Sequence, residues 1–246
     1  MGWQDREYYR ASDYEPSRFG RMPGWSVTTW LIVINVAVFV LDPLLSPLFG
    51  YPPLLAWGYF SADAAIYHLQ IWRFFTFQFL HASLGHIFFN MLALYFFGPL
   101  IESYLGRKRF LTFYLLCGIA GAVSYLLLWM MGILIAFSWV PLVGASAGIF
   151  GVLIAAARIA PDAQVFLLFP PIPLRLKTMA WILLGIAAFT IVVGGNNAGG
   201  QAAHLGGAAL GYLLIENPWA LNRLTFSLPT LSWRKRSSWR ERGYFR

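Results

Sequence analysis

Ser146 lies in Gly144-Ala145-Ser146-Ala147-Gly148, a GxSxG spacing at the head of an apolar stretch that runs to Arg158. A serine hydroxyl attacks a carbonyl at neutral pH only when a base takes its proton, and histidine is the side chain best matched to taking and returning it. His204, in another apolar stretch, is the candidate general base and acid. His86 and Asn90 are four residues apart, so a helix places both on one side. Together with the backbone N–H of Ser146, their donors suit the oxyanion of a tetrahedral intermediate. Asp42, Asp63, Glu102, Asp162 and Glu216 all fall at the ends of apolar runs or between them. A Ser-His dyad therefore fits better than a triad, with the imidazole held by packing instead of a carboxylate. Each residue also has a plain structural reading. GxSxG in an apolar run arises from helix packing alone, the soluble nucleophile elbow needs a preceding strand that is not seen here, and His or Asn can simply bond across helices. A metal site is not expected, because His81, His86 and His204 have neither HExxH spacing nor an acidic partner. No cofactor motif is present.

These residues need a scaffold, and composition says which kind. Hydrophobic residues make up 59% of the 246-residue chain and charged residues 11%, against about a quarter charged in soluble proteins. That is the balance of a polytopic membrane protein. The apolar runs are 26–41, 84–101, 110–137, 146–157, 179–193 and 202–215, which gives six spanning helices as the economical count. The runs are continuous and not alternating, so a β-barrel is excluded and the fold class is an all-α bundle. Arg6, Arg10, Arg18 and Arg21 precede the first run, Arg107, Lys108 and Arg109 separate the second from the third, and Arg158, Arg175 and Lys177 separate the fourth from the fifth. Seven more basic residues lie in 223–246. Only Arg73 falls on the other side, so the positive-inside rule puts both termini in the cytoplasm. The net charge of +8 is thereby explained without nucleic acid. The basic tail, with Trp233, Trp239, Tyr244 and Phe245, suits contact with anionic membrane lipids.

With that orientation, the second, fourth and sixth helices run in the same direction, and depth can be counted from the first charge at each cytoplasmic end. Asn90 to Glu102, Ser146 to Arg158 and His204 to Glu216 are each 12 residues, or about 18 Å at helical rise. His86 is one turn higher. Polar groups inside spans are costly, so coincident depth on three helices points to one composite site. Gly148, Gly151, Ala155, Gly207 and Gly211 allow the close approach such a site requires. The fourth helix is too short to cross the whole bilayer core, so Ser146 is expected at a submerged helix start whose free N–H groups favour an anion. Residues 139–145 before it are expected to be irregular backbone, tolerated only beside protein or water.

The longest connection, residues 42–80, is rich in Pro and aromatics, including Pro52, Pro53, Trp57, Tyr59, Phe60 and Trp72. It is expected to lie in the membrane interface, where the plain reading of Trp72 and Arg73 is an interfacial anchor with a snorkelling Arg. Residues 1–24 read as a polar cytoplasmic segment without a removable signal peptide, so the first span serves as an uncleaved anchor. Residues 25–217 form the membrane domain and 218–246 the basic tail. The single cysteine, Cys117, excludes an internal disulfide and reads as a small buried hydrophobe. His68 and His81 read as structural or interfacial.

The motifs resemble those of the rhomboid intramembrane serine proteases. Gly144-Ala145-Ser146-Ala147 looks like the family's nucleophile motif, Ala203-His204-Leu205-Gly206-Gly207 with Gly211 its base-bearing sixth helix, and His86-Ile87-Phe88-Phe89-Asn90 its HxxxN pair. Trp72-Arg73 resembles a structural pair in the family's first loop, and Glu102 with Gly106 the end of its second helix. Ala147 departs from a frequent Gly, and Phe150 stands where some members carry a Tyr that stacks on the base. The resemblance implies a six-transmembrane-helix rhomboid-like bundle with a large interfacial loop between helices 1 and 2. It further implies a serine endopeptidase cutting transmembrane segments of other membrane proteins, with a preference for small residues at the cut. The alternative is a catalytically silent rhomboid-like protein that binds membrane helices. The expected setting is a bacterial inner (plasma) membrane; oligomeric state does not follow from these residues.

Overall fold

Long apolar runs leave the backbone without water to bond to, so N–H and C=O groups pair within helices. The computed structural model describes residues 24–134, 137–166 and 172–224. The expectations for the polar N-terminal segment and most of the basic tail, including Trp233, Trp239, Tyr244 and Phe245, lie outside the described residues. In chain order the helices are α1 (Val27–Phe49), α2 (Pro53–Gly58), α3 (Arg73–Thr76), α4 (Leu84–Leu105), α5 (Arg107–Met130), α6 (Ser146–Ile159), α7 (Leu176–Val192), α8 (Ala198–Glu216) and α9 (Pro218–Leu224). A π-turn at Asp63–Tyr67 and a 3-10 turn at Phe77–Phe79 complete the segment between α1 and α4. Three helices, α1, α4 and α5, are long and apolar enough to cross a membrane, and α6 and α7 are shorter apolar helices.

Several boundaries differ from the expected ones. α1 passes the Asp42 boundary expected for the loop and continues through Pro43 and Pro47 to Phe49. The Ser46 hydroxyl donates to the Asp42 carbonyl, and left-handed Gly50 closes the helix by donating to the Ser46 carbonyl. α5 stops at Met130, short of 137, because Gly132 turns left-handed (φ 71°) and donates to the Trp129 carbonyl. Arg107, Lys108 and Arg109, which separate the second apolar run from the third, are the first turn of α5, reached through left-handed Gly106. Between α6 and α7, two short antiparallel strands, β1 (Gln164–Phe166) and β2 (Pro173–Arg175), pair in an otherwise helical chain. These three-residue strands are too short for any periodic signal.

The centre of the bundle is α5, α6 and α8 packed through small residues. A methyl group added to Gly207 of α8 would overlap the Ala147 carbonyl oxygen of α6, and one added to Gly211 would lie 2.5 Å from the Gly151 Cα. Gly121 of α5 is pressed as closely against Ala147 and Ala203. Tyr114, Phe110 and Phe113 are fully buried around this seam, as is Cys117. α4 packs on one side of it, and α1 packs on α4.

At one end, buried Glu102 of α4 accepts from Val27 N, Thr28 N and Thr28 Oγ1 at 2.8–2.9 Å. The residue that marks helix depth in the sequence thus closes the open N-terminus of α1. At the other end, buried Asp42 does the same for α2, accepting from Leu54 N and Leu55 N. Arg73 is 5% exposed and donates to the Tyr59 and Ala56 carbonyls while covering the Tyr59 ring. Arg73 thus has a structural place in the loop and does not snorkel, because its donors are taken up by these carbonyls and by Gln70 Oε1.

Candidate active site

Ser146 is the first residue of α6, and the turn that delivers it is set by Gly144 (φ 130°). Gly144 does more than turn the chain. A side chain there would meet His86 Nε2 at 2.8 Å and Ser146 Oγ at 3.5 Å, so glycine is what lets the two side chains share one space. Residues 139–145 are irregular, as expected, and several backbone groups of 137–145 are satisfied by the segment between α1 and α4. Leu142 exchanges both hydrogen bonds with Phe60, Gly144 N donates to the Phe77 carbonyl, and Asp63 N to the Ser138 carbonyl. The Tyr125 hydroxyl of α5 donates to the Val140 carbonyl.

Ser146 Oγ and His204 Nε2 are 2.8 Å apart. Twelve residues further on, Arg158 of α6 pairs with Glu216 of α8. Two bridges at equal spacing hold the parallel helices in register, which is the physical form of the matched residue count. Phe150, one turn after Ser146, stacks on the His204 ring with centroids 4.1 Å apart and planes at 8°. The imidazole is thus clamped by a flat aromatic face, in keeping with a base held by packing. Ser146, His204, His86 and Asn90 all line one cavity of ≈ 420 Å³, walled also by Phe77, Leu142 and Ala203. As the first residue of a helix, Ser146 has an N–H without an intrahelical acceptor. A serine hydroxyl in contact with an imidazole, with N–H groups around the same cavity, is an arrangement with which acyl transfer can be carried out. Among the described residues no three His, Cys, Asp or Glu side chains come together as a metal site would require.

A model of the rhomboid domain matches residues 68–216 of the chain. The chain belongs to the rhomboid family. It is 28% identical over 241 residues to "Rhomboid protein 1, mitochondrial" of Saccharomyces cerevisiae, covering 83% of this chain and 66% of that protein. Over 207 residues it is 31% identical to "Rhomboid protease AarA" of Providencia stuartii, covering 77% and 71%. Over 86 residues it is 34% identical to "Rhomboid protease GlpG" of Pectobacterium atrosepticum, covering 35% and 29%. The matches to the yeast and Pectobacterium proteins thus span less than two thirds of those relatives. Family and apolar helices together make this rhomboid an integral membrane protein.

Two further polar residues adjoin this site, of which Gln201 escapes the sequence reading. His81, read as structural or interfacial, is 8% exposed and lies beside Asn90, whose Nδ2 donates to His81 Nε2 at 3.0 Å. Its ring meets that of His86 edge to face, with centroids 5.0 Å apart. Asn90 therefore spends one amide hydrogen on His81 while lining the cavity. Gln201, one turn before His204 on α8, brings Oε1 within 3.0 Å of His204 Nδ1. The i, i+3 spacing of Gln201 and His204 is the signal that could have found it. His68 is exposed near Asp63, as an interfacial residue would be. Trp72 donates from Nε1 to the Trp57 carbonyl.

Proposed function

We propose that this rhomboid is an intramembrane serine endopeptidase that uses a Ser146-His204 dyad to hydrolyse peptide bonds in or near transmembrane segments of other membrane proteins. The observation that carries the reading is the 2.8 Å contact between Ser146 Oγ and His204 Nε2 at a cavity also lined by His86 and Asn90. The relatives named as proteases support it. His204 Nε2 takes the Oγ proton as Oγ bonds to the scissile carbonyl carbon, and the resulting oxyanion is received by His86, Asn90 and the Ser146 N–H. The imidazolium then returns the proton to the departing amine, leaving an ester on Ser146. Water attacks that ester as His204 takes its proton, and the proton goes back to Oγ as the new carboxyl end departs.

In this reading the protease domain is residues 25–217, with α1, α4, α5, α6, α7 and α8 as the six membrane helices and the segment between α1 and α4 lying in the interface. The 14 residues of α6 span about 21 Å, less than the roughly 30 Å hydrocarbon core, so Ser146 starts its helix below one surface. The basic residues put both termini in the cytoplasm, for which we propose a bacterial inner membrane. Membrane lipids bathe the apolar faces. A helical substrate hides its scissile amide in intrahelical bonds, so substrates with helix-weakening Gly or Pro near a small residue at the cut are expected.

Purified protein in detergent should cleave a model transmembrane substrate, and Ser146→Ala and His204→Ala should each lower the rate by at least about a thousandfold while the fold is retained. Cleavage by Ser146→Ala at the wild-type rate would overturn the mechanism. A wild-type protein that binds such helices without cutting them would identify the silent rhomboid-like alternative.

A further inference from the structure

Histidine has two neutral tautomers, and only the one protonated on Nδ1 can accept a proton at Nε2. A dyad without a carboxylate leaves the choice between them open. Stacking on Phe150 fixes the plane of the His204 ring but is blind to which nitrogen carries the hydrogen. Gln201 Oε1, 3.0 Å from Nδ1, is an acceptor and lacks a hydrogen, so it pairs with Nδ1 only when that nitrogen is protonated. We propose that Gln201 is the third member of the site, a positioning residue that selects the Nδ1–H tautomer of His204 and so frees Nε2 for the Ser146 proton. This rests on the dyad reading above.

The geometry supports the role in three further ways. Gln201 is not among the residues that line the cavity holding Ser146 and His204, so it acts through the imidazole and not on a substrate. It sits one turn from His204 on the same helix, and its backbone N–H donates to the carbonyl of Asn197, the residue that opens α8, so side chain and ring share one rigid element. Its acceptor is also neutral. After Nε2 takes the serine proton, Nδ1–H still donates to Oε1, and the amide dipole stabilises the imidazolium without a second charge at bilayer depth. A carboxylate there would have to be desolvated for the whole resting state, whereas an amide carries no such charge. The acidic residues of α4 and α8, Glu102 and Glu216, and Asp162 after α6 all stand at helix ends or beyond, paired to other partners.

The direct test is 15N NMR of histidine-labelled protein in detergent, with the His204 signals assigned by their loss in His204→Ala. The expected wild-type spectrum has a protonated Nδ1 and an unprotonated Nε2 on His204; the reverse pattern would overturn the proposal. In Gln201→Leu, which keeps much of the side-chain bulk and removes the acceptor, the Nδ1–H population should fall. Its kcat should drop about tenfold, the worth of one side-chain hydrogen bond, with KM unchanged and with thermal stability close to wild type. A Gln201→Leu variant with wild-type kcat and tautomer, or one whose only change is a lower unfolding temperature, would show that the amide merely packs. Should the wild type fail to cleave any substrate, the protease reading falls, while the NMR measurement still decides the Gln201 contact.

Discussion

α7 and α8 are consecutive apolar helices of 17 and 19 residues, yet they are held in opposite ways. α8 is locked to α6 through glycines that leave no room for a methyl group, and it carries His204. α7 presents Gly185 to open space, with nothing within 4 Å of where a Cβ would lie. Between α7 and its neighbours α6 and α8 lies an apolar cavity of ≈ 710 Å³, and Trp181, Phe189 and Val192 face outward. No α7 residue lines the cavity that holds Ser146 and His204. Close packing is concentrated where Ser146 Oγ and His204 Nε2, on different helices, lie 2.8 Å apart, and the helix that carries neither residue is held loosely. A serine and histidine separated by 58 positions can keep that distance only if the backbones that bear them cannot slide.

The contrast can be tested by adding the same methyl group to each helix and by loosening the clamped half from outside. The largest effect is expected for Gly207→Ala. Its Cβ would overlap the Ala147 carbonyl oxygen, so α6 and α8 must separate, at a cost of about 3 kcal/mol or more, and cleavage should fall with stability. Thermal unfolding in detergent measures the first and a transmembrane-substrate assay the second. An intermediate effect is expected from mild acid, between about pH 6.5 and pH 5. Burial, with a contribution from neighbouring His86, pushes His81 down to about 3 from its ordinary 6.5. Between those values the unfolded chain binds a proton that the folded chain does not. The contribution of neutral His81 to stability is therefore fully present above about pH 6.5 and falls toward pH 3, by at most about 1.4 kcal/mol per pH unit. Unfolding temperature followed against pH should show this slope in the wild type and a shallower one in His81→Gln. The smallest effect is expected for Gly185→Ala, where added helix propensity of at most about 1 kcal/mol meets no clash, so cleavage and stability should stay near wild type. Equal damage from Gly185→Ala and Gly207→Ala would erase the distinction between the two helices.

Much of this was legible in the residues. The helices of the bundle follow from long apolar runs, because a backbone away from water has few ways to satisfy itself. Ser146, His204, His86 and Asn90 stand out because polar groups in such runs are expensive. What escapes the sequence has equally physical reasons. α1 runs on through two prolines because a serine hydroxyl and a left-handed glycine finish it. The contacts of Arg73 are hard to read from the residues because two of its acceptors are the Tyr59 and Ala56 backbone carbonyls, which have no sequence signature, beside the Gln70 side chain. Gln201 does not declare itself, because it is an ordinary amide until its distance to His204 Nδ1 is known.

The sequence by itself determined the helices, their small-residue faces and the equal spacing of Ser146 and His204 from the charges at their helix ends, since all of these are periodic or local properties of the chain. Only the tertiary structure decided that Arg158 meets Glu216 while Ser146 meets His204, and that Phe150 lies flat on the imidazole. Those contacts join residues on different turns and helices, and distance between side chains is fixed by how backbones pack, which no spacing along one chain can specify.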